Sequence, residues 1–128
     1  MPSDLPHKLL QFIQSSLPTY QAAEVLLFFA AHPDRAFTPE EIVVGLRPVV
    51  ITVPAVKEYA RLFVIRQLIV EANGTYTYGP ADELELRIGE LAHAYNEKPV
   101  TLIRAIYQIA DSRIQSFADA FDLRKDET

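Results

Sequence analysis

The dipeptide Asn73-Gly74 constrains the fold more than any other pair of residues in this chain. It sits between "IVEA" and "TYTY", and Asn-Gly flanked by β-prone segments is the strongest short-range signal for a two-residue type I′ hairpin. Directly upstream, Val56, Ala60, Phe63, Val64 and Leu68 recur at helical spacing behind Pro54, so a helix should run into the hairpin. A helix followed at once by a tight antiparallel ribbon excludes a simple helical bundle. It also asks for a third element on which the ribbon can bury one face.

The segments further upstream supply it. Leu5, Leu9, Phe12, Ile13 and Leu17 predict an amphipathic helix over residues 5–16, stopped by Pro18. "YQAAEVLLFFAA", residues 20–31, is apolar on nearly every side and reads as a central core helix ended by His32-Pro33. In "AFTPEEI", Thr38 suits an N-cap, Pro39 the first helical position and Glu41 the third, which completes a capping box. Phe37 and Ile42 add a hydrophobic staple. Ile42, Val43 and Leu46 are the expected buried stripe of that helix, which must end before Arg47-Pro48. "VVITV", residues 49–53, is β-branched and predicts a short strand or an extended loop. Beyond Pro80, Leu84, Ile88, Leu91, Ala92 and Tyr95 trace a helix to about Glu97. A second stripe from Pro99 takes in Ile103, Ile106, Tyr107, Ala110, Ile114, Phe117, Ala118 and Phe121. The expected fold class is mainly α (α+β), with a sheet of three strands at most. The expected divisions are a core over 1–80, a C-terminal helical extension over 81–122 that dimerises or folds back, and a frayed tail over 123–128.

With the capped helix, the second helix and the Asn-Gly hairpin in place, the sequence resembles a winged helix-turn-helix protein of bacterial regulator type. The resemblance covers residues 19–80 and rests on "FTPEEI", on the spacing from Val56 to Leu68, and on "IVEANGTYTYGP". The C-terminal part, "LAHAYNEKPVTLIRAIY" followed by "SFADAFDLRKD", is similar to a group of small, largely uncharacterised bacterial winged-helix proteins. The resemblance implies a transcription-associated regulator that acts as a homodimer through its C-terminal helices and contacts DNA through residues 54–67. Fold alone does not settle function, so the residues must be read on their own terms.

Lys57, Arg61 and Arg66 are the candidate DNA contacts. Arg61 has the donors for a guanine edge, and Lys57 and Arg66 suit phosphates. The net charge of −5 leaves little to add to them: residues 51–79 hold those three bases against Glu58 and Glu71, a local balance of +1. A DNA-binding surface is ordinarily basic, because affinity comes largely from neutralised phosphates. The hairpin offers Glu71, Asn73, Thr75, Tyr76 and Thr77 in place of Lys or Arg. Seven residues, "RPVVITV", separate Leu46 from Pro54, a longer link than the motif usually has. Weak or indirect DNA contact is therefore expected. The alternative is a protein-interaction module that presents Leu62 and Ile65, two apolar side chains on the expected outer face of the helix. Ile114, Phe117 and Phe121 are the expected dimer contacts, since buried aromatics dominate interfaces.

Other classes find little support. The chain has no cysteine, so thiolate metal sites and cysteine nucleophiles are excluded. His7, His32 and His93 lie far apart, and neither a Gly-rich phosphate loop nor a nucleophile elbow is present. No enzyme activity, cofactor or metal is expected. Tyr76 and Tyr78 read as the core-facing side of the small sheet and not as a base-stacking platform. Without a signal-peptide pattern or a span-length apolar run, a cytoplasmic protein with no membrane association is expected.

Overall fold

A computed structural model describes residues 5–126, with side chains through residue 112. Six helices and three short strands follow in the order α1 (His7–Ser16), α2 (Tyr20–Ala31), β1 (Ala36–Phe37), α3 (Pro39–Gly45), α4 (Val53–Ile65), β2 (Ile69–Ala72), β3 (Thr75–Tyr78), α5 (Asp82–Glu97) and α6 (Pro99–Asp126). The described fold is mainly helical with one small antiparallel sheet, as expected. Strand order is β1-β3-β2, with Phe37 opposite Tyr76 and Glu71 opposite Tyr76 on the other side.

The helix boundaries follow from local chemistry. Thr19 caps α2 by accepting from the Ala22 amide, and His32 Nδ1 bonds the Phe28 carbonyl at the other end, 2.9 Å away. In α3 both arms of the capping box are made. The Thr38 hydroxyl accepts from the Glu41 amide at 3.2 Å, and the Glu41 carboxylate accepts from the Thr38 amide at 2.8 Å. Pro39 has no amide hydrogen, so two of the three otherwise unpaired amides are thereby satisfied.

α2 is the hub, touching α3, α4, α5, α6 and β3, which is why its sequence is apolar all round. A single buried cluster runs from Leu5 to Ile106 and draws on every helix. Through Ile106, the C-terminal extension therefore folds back on the core. α5 and α6 pack on α1 and α2 through Ile88, Leu91, Leu102 and Ile106, all buried.

Three readings are settled or corrected here. Of the strand or extended loop expected over residues 49–53, the loop is what forms, pinned by buried Ile51 and by Gln21 donating to the Val50 carbonyl, except that Val53 already belongs to α4. Thr52 caps that helix, accepting from the Ala55 amide, so a cap and Pro54 in the first turn override the β preference of Val53. Second, the two C-terminal helices are separate at Pro99 as expected, because Lys98 leaves helical geometry (φ −138°, ψ 55°). Third, residues 123–126, expected in a frayed tail, continue α6, whose 28 residues span about 42 Å; residues 127–128 lie outside the described part.

Candidate functional site

The helix and hairpin singled out above are consecutive here as well: α4 ends at Ile65 and β2 begins at Ile69. The turn between them is a Schellman motif. Gln67 takes a left-handed conformation (φ 63°), its amide donates to the Val64 carbonyl, and the Leu68 amide reaches back to the Phe63 carbonyl at 2.9 Å. Leu68 is fully buried by this exit and not as part of the helix, which corrects its place in the helical stripe. At the hairpin tip Asn73 (φ 54°) and Gly74 (φ 81°) both sit in the left-handed region, as a type I′ turn requires. The Thr75 hydroxyl closes the turn onto the Ala72 carbonyl.

α4 is held from two sides. Val56, Ala60 and Phe63 are buried against the core, and its Tyr59 hydroxyl accepts a 2.8 Å hydrogen bond from Thr19, the residue that caps α2. The outer face then carries Lys57, Glu58, Arg61, Ile65 and Arg66, all exposed. Arg61 lies 3.7 Å from Glu58, an exposed i,i+3 ion pair that contributes little to stability and leaves the guanidinium free to exchange partners. Leu62 departs from expectation: it is half-buried and packs on the core, so only Ile65, at 69% exposure, stands bare. The pair expected on one outer face is thus split. Expected outcomes differ accordingly: Ile65→Asp should leave the urea midpoint nearly unchanged, within about 0.5 kcal/mol, whereas Leu62→Asp should cost about 1–3 kcal/mol.

The link and the hairpin add no positive charge to this face beyond exposed Arg47, and they add apolar surface. Val50, on the link, is 84% exposed. Tyr76 and Tyr78 pack partly against the core. Burial, then the nearby Glu71 carboxylate, pushes the Tyr76 hydroxyl up; burial, then Glu85, does the same to Tyr78. Both therefore remain neutral phenols. Ile114, Phe117 and Phe121 fall on α6, but their side chains lie outside the described residues.

A second polar group joins α2 to α5. Tyr20 and Tyr95 stack at 5.9 Å with planes 12° apart, and the Tyr95 hydroxyl donates to Glu24 at 3.4 Å. Burial chiefly, with Tyr95 and Glu24 adding, pushes the Tyr20 hydroxyl from 10.0 up to about 12. Because the folded state holds this proton more tightly, the contribution is intact below pH 10 and is lost as pH rises from 10 towards 12. Stability should fall over that window, and Tyr20→Phe should flatten the fall in a series of denaturation midpoints.

Among the described residues no helix is long and apolar enough to cross a membrane, and no group of three or more His, Asp or Glu side chains is placed to hold a metal ion. No family model matches the chain, and comparison with curated proteins and with solved structures gives no match either.

Proposed function

We propose that the chain is a winged helix-turn-helix protein, a transcription-associated regulator that acts as a homodimer and makes weak or indirect contact with DNA. The observation that carries the reading is the element order. Helix, strand, helix, helix and two strands follow from α2 to β3 with sheet order β1-β3-β2, and α4 turns an outer face with Lys57, Arg61 and Arg66 to solvent beside the hairpin. That is the arrangement in which such folds lay a helix in the major groove. The contact is weak because the hairpin has no Lys or Arg and Glu58 competes for Arg61. The test is anisotropy of labelled duplex DNA with the wild-type chain and with Lys57, Arg61 and Arg66 all replaced by alanine. The reading expects binding by the first and none by the second; equal binding would remove α4 from the interface.

The dimer rests on α6. Among its side chains described through residue 112, Leu102, Ala105 and Ile106 are buried, and the helix runs on to Asp126 through the sequence's apolar Ile114, Phe117 and Phe121. Sedimentation velocity should give a dimer for the wild type and a monomer for Phe117→Asp/Phe121→Asp with unchanged helical circular dichroism. A monomeric wild type would refute the pairing.

A protein-interaction module is the second reading, favoured by exposed Ile65 on α4 and exposed Val50 on the link before it. In that case a partner covers this face and DNA does not.

A further inference from the structure

Away from α4, the end of α2, β1 and α3 border an open cleft of about 520 Å³, a volume suited to a small organic ligand. Its walls are the rings of Phe28, Phe37 and His32. Phe28 lies 4.8 Å from Phe37 and 4.7 Å from His32, centroid to centroid. Gly45 forms part of the floor: a Cβ there would come within 2.5 Å of the Phe28 ring, so only glycine lets the ring settle against the helix. Val44, Glu40 and Glu41 line the rest.

One side chain of the protein already shows what this surface attracts. The Arg35 guanidinium sits 4.7 Å over the Phe37 ring and 3.7 Å from the Glu41 carboxylate. A cation over a π face beside a carboxylate is favourable, more so where water is partly excluded. Yet Arg35 does not balance the charge. With Glu40 and Glu41 against it, the lining sums to −1, and Glu40 has no cation within 4.0 Å among the described residues. His32 adds an acceptor. Its Nδ1 bonds the Phe28 carbonyl, which can only accept, so Nδ1 carries the hydrogen and in the neutral ring Nε2 is left as a lone pair.

We propose that this cleft binds a flat organic monocation of amidinium or guanidinium type, its ring or stem against Phe28 and His32 and its N–H groups towards Glu40 and Nε2 of His32. The inference does not depend on DNA binding. The probe is 4-aminobenzamidine, whose fluorescence rises in an apolar site, titrated into the full chain beside its neutral isostere 4-aminobenzamide. The amidine should bind saturably and the amide about tenfold more weakly, the factor for one partly screened charge-assisted hydrogen bond to a carboxylate. Glu40→Gln/Glu41→Gln should weaken the amidine to the level of the amide while leaving circular dichroism unchanged, because glutamine at the third position still completes the capping box. Val44→Arg, an exposed change at the mouth, should abolish binding. Equal binding of amidine and amide, or amidine binding that survives either variant, overturns the proposal, as does the absence of binding to the wild type.

Discussion

Phe63→Ala is expected to destabilise the fold by about 3–5 kcal/mol, read as a fall in the urea midpoint with unchanged slope. The residue has no exposed surface, so the change removes a large apolar side chain and leaves a cavity that neighbouring elements must collapse to fill. Collapse is hindered because α4 is braced on several sides, by α2, α3 and β2. Phe63 is also the residue whose carbonyl receives the Leu68 amide, and Leu68 is buried with it. Loosening that apolar pair weakens the Schellman exit that starts the hairpin. For a domain with an ordinary stability of about 5–15 kcal/mol, about 0–12 kcal/mol remains, so the variant keeps between half and nearly all of its folded population. The hairpin and the outer face of α4 should therefore be lost together. Loss of α4 alone, with the β2–β3 ribbon intact by hydrogen exchange, would show that the helix is not what positions the hairpin.

Most of this arrangement could be read from residue patterns wherever the deciding interaction is local. Thr38, Pro39 and Glu41 make a cap within four residues, and Asn73-Gly74 makes a turn within two, so α3 and the hairpin were predictable at their boundaries. α2 could be read from end to end because Thr19 and His32 bound an apolar run. The failures are of a different kind. Val53 is β-branched, but Thr52 and Pro54 on either side are a helix start, and a cap outweighs a weak strand preference. Gln67 carries no left-handed preference, so nothing in the sequence marks the exit of α4 at that point. Leu62 lies about 100° from Phe63, outside a stripe drawn for one neighbour; α4 has three, and its buried arc is wider than an amphipathic pattern implies. The cleft beneath Phe28 was not anticipated either. Gly45 is its one sequence trace, and a glycine in a helix has many explanations until the ring that needs the space is seen.

Whether the outer face of α4 meets DNA turns on how strongly salt weakens the contact. Three cations, Lys57, Arg61 and Arg66, are exposed there, and each phosphate neutralised contributes a slope of about −0.9 in log affinity against log salt. Three contacts give a slope near −2.7, so raising salt from about 50 to 200 mM should weaken binding about 40-fold. A reader making six to ten phosphate contacts would lose about 10³–10⁵ over the same range, so the magnitude separates a sparse interface from an ordinary one. Each single alanine at Lys57 or Arg66 should lower the slope by about one if that residue meets a phosphate. Arg61→Ala should act differently if it meets a guanine edge, costing about 1–3 kcal/mol on a specific site and little on random duplex. A slope near zero would mean that α4 neutralises no phosphates, and exposed Ile65 and Val50 would then make this face a protein-docking surface. A slope far beyond −2.7 would require cations from elsewhere in the chain, with Arg47 in the link before α4 the first to replace.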